Sequence, residues 1–106
     1  MNKFMRIIVF FDLPVKKKNE RKAAAKFRKF LIDDGYHMVQ FSVYSRICNG
    51  MDAVNKHASR LNLNIPDKGS IRMMVVTEKQ YEDIRILLGH STIDDTSSST
   101  ELVKIF

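Results

Sequence analysis

An apolar run near the start of the chain places the strongest constraint on the fold. It extends from Met5 to Phe11 and is followed by Asp12-Leu13-Pro14. The pattern predicts a β-strand, and Pro14 indicates a turn because its ring disfavours helical backbone at Leu13. Side chains alternate along a strand, so one face carries Met5, Ile7, Val9 and Phe11, and the other carries Arg6, Ile8, Phe10 and Asp12. Both faces are largely apolar, and each needs a covering layer.

Helical and strand patterns alternate along the rest of the chain. We predict a helix over Lys17–Asp34, capped by Gly35, and a weaker helix over Met51–Leu63 that ends before Pro66. We predict a strand or short hairpin at His37–Ser45 and a strand at Ser70–Thr77. A polar turn or helical stub is predicted at Glu78–Tyr81. The segment Ile84–Leu88 is predicted as a strand, although its spacing also fits a helix.

The order β, α, β, α, β predicts an α+β ferredoxin-like sandwich, in which an antiparallel sheet carries two helices on one face. Two helices cannot cover both faces of this sheet, so we expect a homodimer through the sheet side. The residues expected in that interface are Ile8, Phe10, Tyr44, Met74 and Val76. We assign residues 1–89 to the domain, and residues 90–106 to a flexible linker and a C-terminal docking strand.

Positive charge is concentrated in the first strand and helix. The chain has a net charge of +6, but residues 1–30 alone carry ten Lys/Arg against two acidic residues. At 100° per residue the lysines fall opposite the apolar side of the helix, which holds Ala23, Ala24, Phe27, Phe30 and Leu31. The expected phosphate-binding residues are Lys18, Arg21, Lys22, Lys26, Arg28 and Lys29.

Asp12 is the candidate catalytic and metal-binding residue. Its place on the dimer side of the strand brings it near its symmetry mate, and two facing carboxylates repel unless they are protonated or bridged by a cation. Mg²⁺, or Mn²⁺, fits such a shared site beside a phosphate, with Arg21 or Arg28 neutralising developing charge. The alternative is that Asp12 caps the Leu13-Pro14 turn by accepting backbone N–H groups.

Other residues offer weaker sites. Three aromatic residues are candidates for stacking on bases: Tyr36, Phe41 and Tyr44. The alternation with Val39 and Val43 favours a core position for Phe41. We therefore expect the protein to bind the nucleic-acid backbone rather than to read bases. The single cysteine, Cys48, is expected to be a small buried residue, and His37, His57 and His90 lack zinc-site spacing. We find no signal segment, membrane-spanning run or glycine-rich phosphate loop, so a cytoplasmic location without membrane contact is expected.

The residues Phe10-Phe11-Asp12-Leu13-Pro14, the basic helix, and Val39-Gln40-Phe41-Ser42-Val43-Tyr44 together resemble the CRISPR-associated protein 2 family over roughly residues 5–89. The resemblance implies a ferredoxin-like dimer with an aspartate matching Asp12 as a metal ligand shared between subunits. It also implies Mg²⁺-dependent endonuclease activity on single-stranded RNA or double-stranded DNA. This chain departs from the family in carrying Lys16-Lys17-Lys18 before Arg21, where family members often have acidic residues and paired arginines.

The resemblance also implies a subunit for CRISPR spacer acquisition, one that binds double-stranded DNA and bridges dimers of the CRISPR-associated protein 1 integrase. We expect Leu102, Val103, Ile105 and Phe106 to dock onto the integrase or the partner subunit. A reading that does not depend on the resemblance is a dimeric ferredoxin-like toxin-type ribonuclease or nucleic-acid-binding regulator unrelated to CRISPR.

Overall fold

A computed structural model describes residues 3–89 of the chain. Its elements are β1 (Phe4–Asp12), α1 (Lys18–Asp33), β2 (His37–Gln40), β3 (Val43–Asn49), α2 (Met51–Asn62), β4 (Ser70–Thr77) and α3 (Glu78–Glu82). The four strands form one antiparallel sheet in the order β2-β3-β1-β4. This is the predicted ferredoxin-like arrangement, and the hairpin alternative for residues 37–45 is confirmed. The docking strand predicted within residues 90–106 lies outside the described residues.

The main core lies between the sheet and the first two helices. Ile7 and Val9, at the centre of β1, are fully buried, and the apolar stripes of the two helices pack against them. The buried helical residues are Ala24, Phe27 and Leu31 of α1 and Val54, His57 and Leu61 of α2. Helix α1 is followed by Gly35 at φ +92°, a backbone conformation that favours glycine, and this confirms the predicted C-terminal cap.

The opposite face of the sheet, which we call the outer face, is only partly covered. Helix α3 packs over one end of it, and at the other end Phe10 and Met74 are 36% and 47% exposed. Ile8 and Val76 are half-buried. The parity argument for β1 is therefore confirmed, and Phe10 and Met74 leave apolar surface exposed where α3 does not cover the outer face.

Two aromatic side chains point opposite to the prediction. Tyr44 pairs with Val9 on the helix-covered face, is 4% exposed, and stacks on Phe11 with ring centroids 5.8 Å apart. Phe41, expected in the core, is 87% exposed. The reason is a two-residue turn at Phe41-Ser42, which interrupts the alternation and resets it by one position in β3. Tyr44 is thus a core residue and is not available to a sheet-side interface.

The strand predicted over Ile84–Leu88 does not form within the described chain. Its apolar side chains are more than half exposed, with Leu87 at 88%. A strand requires a hydrogen-bonding neighbour, and after β4 the chain enters α3 on the outer face, away from both sheet edges. The prediction is therefore wrong for a single chain. None of the helices in residues 3–89 is long and apolar enough to cross a membrane.

Candidate nucleic-acid interface

Asp12 is the last residue of β1 and lies opposite Ser70, the first residue of β4. It is exposed, and its carboxylate accepts no hydrogen bond and forms no ion pair within residues 3–89. The alternative that Asp12 caps the Leu13-Pro14 turn is therefore wrong, because a cap would need backbone N–H donors to its oxygens. The carboxylate is left open to a ligand.

Three other segments meet at this end of the sheet. The bend before β4 packs against β1 so closely that a Cβ added to Gly69 would lie 2.8 Å from the Asp12 carbonyl oxygen. The tip of the β2–β3 hairpin is tied there by a 3.0 Å hydrogen bond from the Phe11 N–H to the Ser42 carbonyl. We call this region, formed by Asp12, residues 16–18, residues 41–42 and residues 67–70, the Asp12 edge.

Glu20 organises the lysine-rich loop at the Asp12 edge. The backbone N–H groups of Lys17 and Lys16 donate to its Oε1 at 2.9 and 3.1 Å. The pKa of Glu20 is lowered, chiefly by the Lys17 N–H and further by the positive charges of Lys17 and Lys68, which outweigh the opposing effect of burial. Lys68 therefore lies close to the start of α1, and cations from two separated segments of the chain act on Glu20.

Arg21 has a structural task that its sequence position did not reveal. Its Nη1 donates to the carbonyl oxygens of Lys16 and Val15 at 2.6 and 3.1 Å. The guanidinium thus holds the loop that leads from β1 into α1. Since these bonds use one end of the side chain, Arg21 is a less available phosphate ligand than the lysines around it.

The lysines of α1 lie on its solvent side, as predicted. Lys18, Lys22 and Lys26 are exposed and have no acidic partner among the described residues, whereas Lys29 forms a 2.8 Å ion pair with Asp33. Arg28, on the flank of the same helix, is also exposed and unpaired within residues 3–89. Of the six cations of the helix, four are therefore open, while Arg21 bonds to loop carbonyls and Lys29 is paired with Asp33.

A buried ionic group lies at the opposite end of α1. Asp34 accepts from His57 Nδ1 at 2.9 Å and from Arg60 Nη1 at 2.8 Å, so it joins the end of α1 to α2. Burial raises the pKa of Asp34, but the hydrogen bonds from His57 and Arg60 outweigh this, and the net pKa is lowered. His57 is 4% exposed, so this group is a structural clamp between the two helices.

A second ionic group lies on the outer face. Arg6 is only 8% exposed because Glu78 binds its guanidinium through two hydrogen bonds and the ring of Tyr81 lies 4.1 Å from it. Tyr81 also accepts from the Ser45 hydroxyl at 3.4 Å. These contacts seat α3 on the sheet. No local pattern predicts these contacts, because Arg6 and Glu78 are 72 residues apart.

The remaining candidates are placed in the core. Cys48 is buried, and burial raises the pKa of its thiol, so it has the apolar structural role predicted. Tyr36 is 3% exposed and is not available for stacking on a base. Within residues 3–89 no three His, Cys, Asp or Glu side chains come close enough to hold one metal ion. The described part of a single chain therefore holds no complete metal site, and Asp12 could supply only one ligand to a divalent cation.

This donor set fits Mg²⁺ only if two chains meet. Mg²⁺ is bound by one or two carboxylates and otherwise by water and phosphate oxygens. Asp12 is exposed on the outer face, the same face that leaves Phe10 and Met74 uncovered. A second chain covering that face could supply the second carboxylate.

Comparison with known proteins identifies the relatives of this chain. A family model described as CRISPR associated protein Cas2 matches residues 5–84. A protein from Acidovorax ebreus named CRISPR-associated endoribonuclease Cas2 is 47% identical over 102 residues, which span 96% of this chain and all of that protein. Proteins of the same name from Streptococcus mutans and Campylobacter jejuni are 42% and 38% identical, over 93% and 99% of this chain and 91% and 73% of theirs.

The fold is also found among solved structures. A crystal structure of a Cas2 protein matches with a TM-score of 0.59 over 88% of this chain and 95% of that one. The sequence identity is 17%, so this match supports the fold alone.

Proposed function

The chain belongs to the CRISPR-associated Cas2 family, and from that premise we propose that it is a homodimeric, metal-dependent endoribonuclease with Asp12 as its catalytic carboxylate. Membership of the family removes the alternative of a toxin-type ribonuclease or regulator unrelated to CRISPR. The relatives at 38–47% identity are named endoribonucleases. The observation that carries the proposal is the open carboxylate of Asp12 at the end of β1, where the lysine-rich loop into α1 begins.

The dimer forms through the outer face. Ile8, Phe10, Met74 and Val76 lie side by side there, since Ile8 pairs with Met74 and Arg6 with Val76 across β1 and β4. Exposed apolar surface of this kind is favourable to bury, at about 25 cal/mol per Å². If the twofold axis passes through this face near the Asp12 end of β1, the Asp12 carboxylates of the two chains lie close together.

Two carboxylates brought together require a cation between them. The residues that would hold Mg²⁺ are Asp12 of each protomer, and the bound ion would supply Lewis-acid activation of the phosphodiester. The chain's own lysines bind the RNA backbone beside it, with Lys16, Lys17 and Lys68 placed to offset the negative charge that builds on the phosphate during cleavage. Arg21, bonded to the loop carbonyls, positions that loop.

Asp12→Asn tests this assignment. The variant keeps the shape of the side chain and removes its charge, so we expect cleavage of single-stranded RNA in Mg²⁺ to fall by at least 100-fold while the dimer persists in sedimentation. The matched control is Asp67→Asn, a second exposed carboxylate at the same edge, which should retain activity. Cleavage that survives Asp12→Asn, or that persists in excess EDTA, refutes the proposal.

A second function is favoured by the open lysine face of α1. We propose that the same dimer binds double-stranded DNA through Lys18, Lys22, Lys26 and Arg28 and bridges dimers of the CRISPR-associated protein 1 integrase during spacer acquisition. These side chains carry no base-reading geometry and suit backbone contacts. Leu102, Val103, Ile105 and Phe106, outside the described residues, remain the proposed contact with the integrase.

Mutations distinguish the proposed endoribonuclease function from the proposed DNA-binding function. Spacer acquisition in cells should survive Asp12→Asn and fall when Lys22 and Lys26 are changed to glutamate, because only the second change reverses the charge of the DNA-binding face. Glutamate at Lys29 is the control, since that lysine is already paired with Asp33. Acquisition that is unaffected by the Lys22 and Lys26 changes refutes the DNA-binding role of this face.

A further inference from the structure

The aromatic ring of Phe41 is exposed to solvent. It is 87% exposed, whereas the next most exposed aromatic residue of the described chain, Phe4, is 42% exposed. A single exposed apolar side chain is common on protein surfaces. Phe41 differs in its position, because it lies at the Asp12 edge.

The backbone fixes Phe41 in place. It occupies the first position of a two-residue turn between Gln40 and Val43, which are paired across the hairpin. The next residue, Ser42, has φ +65°, a left-handed conformation that serine rarely adopts, and its carbonyl accepts from the Phe11 N–H. Tyr44, just beyond the turn, is buried and stacked on Phe11. The ring therefore projects from an anchored turn.

The surroundings of Phe41 match a nucleic acid better than a protein surface. Its chain neighbours Gln40 and Ser42 are polar and exposed, so the ring stands between two polar side chains in the turn. The Phe11–Ser42 hydrogen bond places the turn one residue from Asp12, and the loop that follows Asp12 carries Lys16 and Lys17. A flat apolar face beside cations suits a chain of alternating bases and phosphates.

We propose that Phe41 is a stacking platform for an unpaired base of single-stranded RNA whose adjoining phosphate lies at Asp12. The inference rests on the proposed endoribonuclease function and narrows its substrate to strands with an unstacked base at the cleavage site. A base inside a duplex is already stacked and paired, and an aromatic side chain cannot replace those contacts without unstacking it.

Binding measured without cleavage tests the platform. Single-stranded RNA carrying 2-aminopurine at successive positions is titrated with the full chain in EDTA, following fluorescence quenching and anisotropy. We expect Phe41→Ala to weaken binding about tenfold, the scale of one base–aromatic stack, and to abolish quenching at one position. Phe41→Tyr keeps the ring and should retain both signals, and a duplex of the same sequence should bind the wild type and Phe41→Ala equally.

Ile32→Ala is the matched control, since Ile32 is another exposed apolar residue (52%) and lies at the far end of α1, about 21 Å along the helix axis from Lys18. It should bind single-stranded RNA as the wild type does. Phe41→Ala binding that equals the wild type overturns the platform, as does a loss of dimer mass in sedimentation, which would assign Phe41 to a protein contact. RNA cleavage by Asp12→Asn together with Phe41-dependent quenching would remove only the catalytic role of Asp12 and support the platform.

Discussion

Neutralising the open lysines of α1 gives a quantitative test of DNA binding. Lys18, Lys22 and Lys26 are spaced four residues apart, so they follow one side of the helix at intervals of about 6 Å. Each is exposed and without an acidic partner in the described chain. The change to glutamine removes the charge and keeps helix propensity nearly unchanged, so the fold should be retained.

The expected magnitude follows from counterion release. Each lysine that contacts a phosphate of duplex DNA contributes about 0.9 to the slope of log affinity against log salt concentration. The triple variant should therefore have a slope shallower by about 2.7 if all three lysines bind. Between 50 and 200 mM salt, the loss of affinity would shrink about 3.5-fold for each lysine and about 40-fold for the three.

Fluorescence anisotropy with a labelled DNA duplex over that salt range measures the slope directly. Lys29→Gln is the control, because the ion pair with Asp33 already neutralises that lysine, and its slope should change by much less than 0.9 units. A triple variant with the wild-type slope and an intact fold by circular dichroism would refute the assignment. A Lys29→Gln slope change as large as that of Lys22→Gln would show that the ion pairing does not govern which lysines bind.

Three further predictions concern the scaffold. Leu31→Ala should lower the free energy of unfolding by about 2–5 kcal/mol because Leu31 is fully buried, whereas Ile32→Ala, next to it and half exposed, should change it by about 0.5 kcal/mol or less in urea titrations. Gly69→Ala should destabilise the fold more than Gly50→Ala. Both glycines have a positive φ, which costs an alanine about 1–3 kcal/mol, but only a Cβ at position 69 would clash with Asp12 and Leu13. Equal losses of stability in the two variants would show that the clash is relieved. The pKa of Asp34 is lowered from 3.8, so its ionised form stabilises the fold above that pH and this contribution is lost as the pH falls further. Asp34→Asn should therefore lower the free energy of unfolding by about 1.5–3 kcal/mol at pH 7, and by progressively less below about pH 4. A loss of stability that does not depend on pH would contradict the role of Asp34 as a clamp.

The fold was predictable because its main signals are local. The alternation in β1 and the amphipathic stripe of α1 each specify which face is buried, and Ile7, Val9, Phe27 and Leu31 are buried as predicted. The hairpin between β2 and β3 was left open as an alternative to one strand. Its turn contains Phe41 and Ser42 and no glycine, so no residue preference signalled the left-handed position, and the alternation assigned Phe41 and Tyr44 to the wrong environments.

The candidate site was only partly predictable. The position of Asp12 on the outer face follows from its parity with Ile8 and Phe10. The convergence of Lys68 on the start of α1 and the burial of Arg6 under α3 depend on contacts between distant parts of the chain. Sequence periodicity carries no information on such contacts, and the engagement of Arg21 by loop carbonyls is equally invisible to it.

The sheet order also sets a schedule for folding during synthesis. Strand β1 sits between β3 and β4, and its pairing with β4 sets Met5 opposite Thr77. After β3 has left the ribosome, the roughly 28 residues up to Thr77 take about 1 to 6 s to make at 5–20 residues per second. During that interval one side of the most apolar strand has no hydrogen-bonding neighbour, an arrangement that invites pairing with other chains. A polypeptide terminated before β4 would therefore expose the edge of β1 and tend to aggregate. Pairing of β4 with β1 covers that edge and protects the chain from association with others.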